Sequence, residues 1–173
     1  MDVPQYPAGP NPGEENYDEK RKVELIVQIE QAPALLRKAV AGLSGEQLNA
    51  LYKNWTLRQI THHLADSHVN SYVRFKWTLT EDQPLIKAYD ENLWSALPDA
   101  KTGDVEPALH MMEGTHQRWI QLLQSMSPED YRKAFRHPDG RVISLSKALA
   151  VYAWHGRHHT AQIQWVRNQR GWN

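Results

Sequence analysis

The strongest constraint on the fold is a stripe of side chains, mostly large and apolar, that recurs every three or four residues along one segment. Its members are Val105, Leu109, Met112, His116, Trp119, Leu123 and Met126. Residues at this spacing share one face of an α-helix, so the stripe predicts an amphipathic helix over about 104–125 with one buried face.

Three further segments carry helix signals. Residues 18–43 are rich in Lys, Glu, Gln, Leu and Ala, which are good helix formers. Thr56 is a suitable N-cap for a helix over 57–80, and Ser144 for a last helix that runs to Arg170. Strand patterns are few, although the turn residues at 137–141 allow a small hairpin. The sequence therefore predicts an all-α four-helix bundle.

The remaining stretches complete this organisation. Four prolines in residues 1–13 forbid regular helix, so we expect residues 1–17 to form an extended N-terminal arm. Residues 84–103 form a long crossover, which indicates that helices two and three are not simple antiparallel neighbours. A chain of 173 residues falls in the usual single-domain range, so we expect one domain over 1–173.

Composition excludes several classes of function. Lys plus Arg and Asp plus Glu both number 20, and this zero net charge argues against general nucleic-acid or acidic-membrane binding. No apolar run approaches the roughly 18 residues of a membrane span, and no signal peptide is evident, so a cytoplasmic protein is expected. Because the chain has no cysteine, any metal must be bound by His, Asp or Glu.

Histidines cluster on two of the predicted helices. Six of the nine fall at 62–68 and 155–159. On the last helix, His155 and His159 lie one turn apart within an apolar stripe. That stripe comprises Leu145, Leu149, Tyr152, His155, His159, Ile163 and Val166. On helix two, His63 follows Ile60 by three residues and so lies near the apolar face.

Burying three imidazoles is costly unless their nitrogens find partners, and one metal ion would satisfy all three. Positions i and i+4 on a helix are close enough for both side chains to reach one ion. A third His from a facing helix would complete three nitrogen ligands and leave a position open, as in catalytic zinc sites. We therefore predict a site made of His63, His155 and His159.

Several alternatives stay open. An H-x-x-x-H pair also occurs by chance, and Gly156 stands where a zincin motif needs its Glu. Asp66 is either a group that orients a ligand or accepts a proton, or a surface carboxylate. His116 is expected to be a hydrogen-bonded core residue rather than a fourth ligand, and a role in supporting a ligand stays open. His62 and His68 are expected at the surface or at the rim of a pocket.

Longer motifs resemble a known family. These are Trp55-Thr56-Leu57-Arg58-Gln59, His62-His63-Leu64-Ala65-Asp66-Ser67-His68, Tyr72 with Arg74-Phe75-Lys76, and the run from Tyr152 to Ala161. Together they resemble the DinB/YfiT-like family of metal-dependent enzymes, and its YfiT branch most. The resemblance covers nearly the whole chain. It implies an up-down-down-up four-helix bundle and the same three ligands, His63, His155 and His159.

The resemblance implies two activities. YfiT-like members are described as metal-dependent hydrolases, in which metal-activated water would attack a substrate and Asp66 could accept a proton. Some relatives are thiol S-transferases that join a low-molecular-weight thiol such as bacillithiol to an electrophile. Around the site, polar contacts to an anionic small-molecule substrate could come from Asn70, Tyr72, Arg74 and Tyr152, and the alternative for each is a structural role.

We therefore expect a homodimeric, cytoplasmic metalloenzyme that holds one divalent ion per chain and binds neither nucleic acid nor membrane. Zinc is the favoured metal, with nickel, manganese, iron and cobalt as alternatives. Two hypotheses from other classes remain. One is a non-catalytic stress or binding protein with a structural metal, and the other is an aromatic-rich ligand-binding bundle without metal. The latter predicts that the three histidines point apart.

Overall fold

The computed structural model describes residues 2–11 and 13–172, in which eight helices and four short strands are found. In chain order they are α1 (Glu19–Val40), α2 (Gly45–Leu48), β1 (Leu51–Tyr52), β2 (Trp55–Thr56), α3 (Leu57–Thr80), α4 (Glu91–Ser95), α5 (Pro98–Thr102), α6 (Glu106–Ser125), α7 (Pro128–Arg132), β3 (Ala134–Arg136), β4 (Val142–Ser144) and α8 (Leu145–Arg170). The four long helices α1, α3, α6 and α8 confirm the predicted all-α four-helix bundle.

Local capping fixes where the two histidine-bearing helices begin. The Thr56 hydroxyl accepts a hydrogen bond from the Gln59 amide, and the Gln59 side chain accepts one from the Thr56 amide. This capping box starts α3 at the predicted residue. The Ser144 hydroxyl likewise caps α8 by accepting from the Lys147 amide, and Gly171 ends α8 at a positive φ of 66°.

Contacts between helices establish their directions. On α3 and α6, His68 contacts His116 and Phe75 contacts Trp119, so these two helices run parallel. On α3 and α8, the order reverses, because His63 contacts His159 whereas His68 contacts His155.

Helices α1 and α8 also run parallel. The Tyr17 hydroxyl, just before α1, donates to the Ser146 carbonyl at 2.7 Å, and Arg167 donates to the Ala39 carbonyl at 3.0 Å. Helices α3 and α6 run parallel to each other and antiparallel to α8, so the path of the four long helices is up-down-down-up. The long crossover between α3 and α6 is what this path requires.

Two apolar clusters fill the bundle, and a layer of histidines separates them. Along α3, Leu64 belongs to one cluster and Phe75 to the other, with His68 between them. Along α6, His116 lies in the same way between Met112 and Trp119. The buried imidazoles therefore lie in the middle of the core, where each nitrogen needs a protein or metal partner.

The N-terminal arm packs along α8 in a conformation that is neither helix nor strand. Trp154 Nε1 donates to the Gly9 carbonyl at 2.9 Å, and the Ser146 hydroxyl donates to the Glu15 carbonyl at 2.6 Å. Within the predicted arm, Met1 and Pro12 lie outside the described residues. We infer that arm and bundle form one domain, since the arm shares its contacts with the same helix that carries the histidines.

The crossover is more ordered than its sequence predicts, because it contains α4 and α5. Asp90 caps α4 by accepting from the Asn92 and Leu93 amides. The predicted hairpin is confirmed as β3 paired with β4, and Leu85 of the crossover bridges to Arg136 on β3. Crossover and hairpin are thereby joined near the end of the bundle.

Within the part of the chain that the structure describes, no helix has the length and hydrophobicity needed to cross a membrane.

Candidate metal centre

The three predicted ligands converge. His63 on α3 and His155 and His159 on α8 offer nitrogen atoms that all lie within 4.8 Å of one another. The Nε2 atoms of His63 and His155 are 3.2 Å apart. Two nitrogens bound to one tetrahedral zinc at about 2.0–2.1 Å are about 3.3–3.4 Å apart, so this spacing fits a shared ion. The donor set could therefore hold a divalent metal.

His159 presents a defined nitrogen to this centre. Its Nδ1 lies 2.8 Å from Oε1 of Gln162, one turn further along α8. An amide oxygen only accepts hydrogen bonds, so Nδ1 carries the proton and Nε2 keeps its lone pair. An outward hydrogen bond from the second ring nitrogen is the usual support of a metal-ligating histidine.

Burial keeps these imidazoles neutral. It lowers the pKa of His63 from 6.5 to about 4. Burial first, and then the neighbouring histidines, hold the pKa of His155 and of His159 well below the ordinary value. Because a metal binds only the unprotonated nitrogen, the environment favours the form that a metal would need.

A cavity of about 370 Å³ opens beside the three histidines. Its walls come from β2, α3, α8, the crossover and the β3–β4 hairpin. The lining residues are Trp55, His63, Ser67, Arg74, Ala88, Tyr89, Glu91, His137, Tyr152, His155 and His159. This volume lies within the range of small-molecule sites, and the candidate ligands form one of its walls.

Two of the four predicted substrate contacts line this cavity. Arg74 and Tyr152 do so, and Arg74 Nη1 donates to the Tyr152 hydroxyl at 3.4 Å. Asn70 instead donates along α3 to the Asp66 carbonyl at 2.9 Å. Tyr72 packs against the core beneath the cations of Lys76 and Arg118. Neither Asn70 nor Tyr72 is among the cavity-lining residues.

Asp66 lies half-buried on α3, outside the group of cavity-lining residues. Burial, and then the nearby Asp99 carboxylate, raises the pKa of Asp66 to about 6. Among the described residues its carboxylate makes no hydrogen bond to His63, so no hydrogen bond ties it to the centre.

The expectation for His62 and His68 is wrong. Both are buried, and His68 is wholly inaccessible. His68 follows Leu64 by four residues and precedes Phe75 by seven, so the apolar stripe of α3 already contained the signal that it lies inside. His116 is buried and hydrogen-bonded, as expected for a core histidine.

Other cavity residues carried weaker signals. The ring centroids of Trp55 and His63 are 4.6 Å apart. Trp55, which directly precedes the N-cap of α3, therefore packs against a candidate ligand. His137 sits on the hairpin turn, with Nδ1 2.8 Å from Oδ2 of Asp139. Its H-x-D spacing was a usable signal, whereas Tyr89 and Glu91 reach the cavity only through the fold of the crossover.

The geometry separates the open alternatives. His116 is held by the Ile29 carbonyl and by His68, and the potential metal-binding group comprises three residues within the described chain. An open coordination position beside a cavity is the arrangement of catalytic rather than structural zinc sites. The bundle without metal predicted diverging histidines, and that prediction is wrong because they converge.

Known proteins are similar to this chain along almost its full length. Residues 28–163 match the model of the DinB superfamily. YfiT of Bacillus subtilis, which bears the provisional name of metal-dependent hydrolase, is 41% identical over 97% of this chain and 96% of its own. A Bacillus cereus (strain AH820) protein with the same provisional name is 44% identical over 97% and 98% of the two chains.

A solved structure agrees with the fold. Bacillus subtilis YfiT, described as "a probable metal-dependent hydrolase with an unusual four-helix bundle topology", has a TM-score of 0.94 and covers 97% of this chain and 98% of its own. A likeness of this extent, in sequence and in structure, establishes the family. This chain belongs to the DinB superfamily and to its YfiT-like members.

Proposed function

We propose that this protein is a metal-dependent hydrolase of small molecules, with one divalent ion bound by His63, His155 and His159. The observation that carries the proposal is the convergence of three neutral imidazoles on the wall of an open cavity. Zinc is the favoured metal for an all-imidazole set, with nickel, manganese, iron and cobalt as alternatives. When bound, such an ion supplies Lewis acidity and lowers the pKa of water.

Hydrolysis also needs a group that accepts the proton of the attacking water. We assign this role to His137 rather than to Asp66, because His137 lines the cavity and Asp66 does not. The Asp139 carboxylate, 2.8 Å from Nδ1, is a closer partner than the Asp139 amide at 3.5 Å, so Nδ1 carries the proton and Nε2 is left to accept one. The proton would then pass to the leaving oxygen or nitrogen as its bond to the substrate carbonyl carbon breaks.

Arg74 is expected to bind an anionic group of the substrate. Among the described residues no carboxylate lies within salt-bridge distance of its guanidinium, which lines the cavity beside Tyr152. In Arg74→Gln, KM for carboxylate- or phosphate-bearing esters should rise about 10–100-fold, the worth of one charge-assisted contact, with kcat changed less. KM for neutral esters should not change. An equal effect on both ester classes would contradict the assignment.

Thiol transfer is the second candidate function, and it is favoured by the same Arg74 guanidinium, which has no carboxylate partner among the described residues. Low-molecular-weight thiols such as bacillithiol carry anionic groups that this guanidinium could bind. In such a reaction the thiol sulfur forms a bond to an electrophilic carbon, a halide leaves, and the thiol proton passes to solvent or to His137.

One experiment tests both candidates. The zinc-loaded protein is incubated with a panel of carboxylate esters and amides, and separately with an aryl halide, each with and without an added thiol. Hydrolysis predicts acid products that do not depend on the thiol, and mass spectrometry detects them. Thiol transfer predicts a thioether that forms only when thiol and aryl halide are both present.

Homodimer formation and a cytoplasmic location stay predictions. Sedimentation analysis tests homodimer formation.

A further inference from the structure

A chain of hydrogen bonds connects His155 to a backbone carbonyl on the far side of the bundle. His116 Nδ1 lies 2.6 Å from the Ile29 oxygen, and His116 Nε2 lies 2.8 Å from His68 Nδ1. His68 Nε2 then lies 3.2 Å from His155 Nδ1. The four members stand on α1, α6, α3 and α8, so the chain crosses every long helix.

The carbonyl sets the direction of every bond in this chain. Because a carbonyl oxygen only accepts, His116 Nδ1 must carry a proton, and a neutral ring then leaves His116 Nε2 as an acceptor. His68 must therefore donate from Nδ1 and accept at Nε2. By the same reasoning His155 donates from Nδ1, and its Nε2 keeps the lone pair that faces His63.

We propose that His68 and His116 are positioning residues that fix the tautomer of His155, so that its Nε2 is presented to the metal. The proposal rests on the proposed function, since it assigns these residues to the metal site. Support of a ligating histidine by a partner on its second nitrogen is a general feature of metal sites. Here the partner of His155 is His68, whose ring nitrogens can each donate or accept. A further group, His116, is therefore needed to set the direction of the hydrogen bond.

The packing around His68 supports this role. His68 and His116 are almost wholly buried, so water cannot replace either partner in the chain. Beside His68, α8 approaches α1 closely at Gly156, the residue after His155. A Cβ at this position would lie 3.1 Å from Ala32 Cβ, a tight contact, and 3.5 Å from His68 Cε1, an ordinary one.

Nitrogen-15 NMR of the metal-free protein at pH 7.5 tests the tautomers directly. Long-range couplings distinguish a protonated ring nitrogen from an unprotonated one. We expect the proton on Nδ1 in His116, His68 and His155 alike. A proton on Nε2 in any of the three would overturn the proposal. This measurement needs no metal, so it stands even if the proposed function fails.

Zinc affinity of variants tests the consequence. His116→Leu should weaken zinc binding about 10–100-fold, the usual effect of losing such support. His116→Gln, whose amide oxygen can still accept from His68 Nδ1, should lose less. The matched control is His62→Gln, which replaces a buried histidine on α3 outside the chain and should stay within about twofold of the wild type.

Two outcomes of the affinity measurement would contradict the proposal. One is a folded His116→Leu variant that binds zinc as tightly as the wild type. The other is an equal loss in His116→Gln and His116→Leu, which would indicate a packing role only. A wild-type protein that binds no zinc would instead contradict the proposed function and leave the tautomer result to decide the positioning role.

Discussion

Replacing both His155 and His159 with alanine is expected to lower the metal content of the purified protein from about one ion per chain to background. The double variant retains only His63 of the three converging imidazoles. A single imidazole cannot hold a divalent ion against the water that competes for it, so the loss should exceed about 100-fold in affinity. Elemental mass spectrometry on protein purified without a nickel column measures the metal content.

The matched control is His110→Ala, which removes an exposed histidine of α6 outside the centre. It should keep the wild-type metal content, and circular dichroism should show that both variants are folded. A double variant that keeps its metal would show that other residues bind it. A wild-type protein that takes up no added zinc, nickel or manganese would remove the basis of the enzymatic proposal.

The same measurement bears on the non-catalytic alternative. A structural ion would stabilise the fold without turnover, whereas the three-nitrogen centre here faces a cavity that also presents Arg74, Tyr152 and His137. Structural zinc sites are closed by four protein ligands, and His116 does not supply the fourth. Metal binding combined with inactivity across esters, amides and thiol acceptors would favour the stress or binding protein.

The fold was largely predictable where local signals and periodicity agreed. Thr56 and Ser144 mark the starts of α3 and α8, and Gly171 marks the end of α8. Helix α6 begins at Glu106, two residues after the predicted start, and the Asp104 side chain accepts a hydrogen bond from the Glu106 amide. Helix α1 continues through Pro33, so a proline alone did not set a boundary.

Only the site residues that lie on the long helices were predictable from the sequence. His63, His155 and His159 lie on stripes that one sequence reveals, and so does His68 once its distance from Leu64 is counted. Tyr89, Glu91 and His137 come from the crossover and the hairpin. Their positions depend on a tertiary contact, the bridge between Leu85 and Arg136, which has no local sequence signal.

The second large effect is expected on stability: acidification from pH 7.5 to pH 5.0 should destabilise the metal-free protein. Burial lowers the pKa of His116 from 6.5 to about 4. The unfolded chain therefore takes up this proton before the folded one does. The contribution to the free energy of unfolding is fully present above pH 6.5 and is lost as the pH falls toward 4.

For His116 alone this loss is about 2 kcal/mol at pH 5.0, from a pKa difference worth about 1.4 kcal/mol per unit. Burial shifts the pKa of His63, His68, His155 and His159 in the same direction, so the total should be larger. Asp66 opposes part of it, because its raised pKa favours the folded state as the carboxyl becomes protonated.

Urea unfolding of chelator-treated protein at the two pH values measures the effect. The His116→Leu variant should show a pH dependence that is smaller by about 2 kcal/mol, because it removes one of the titrating groups. The control is His110→Leu, which removes an exposed histidine outside the buried layer and should keep the full dependence. A free energy of unfolding that is unchanged at pH 5.0 would mean that water or a rearranged core reaches these imidazoles. The histidines between the two apolar clusters would then not be buried and neutral in solution.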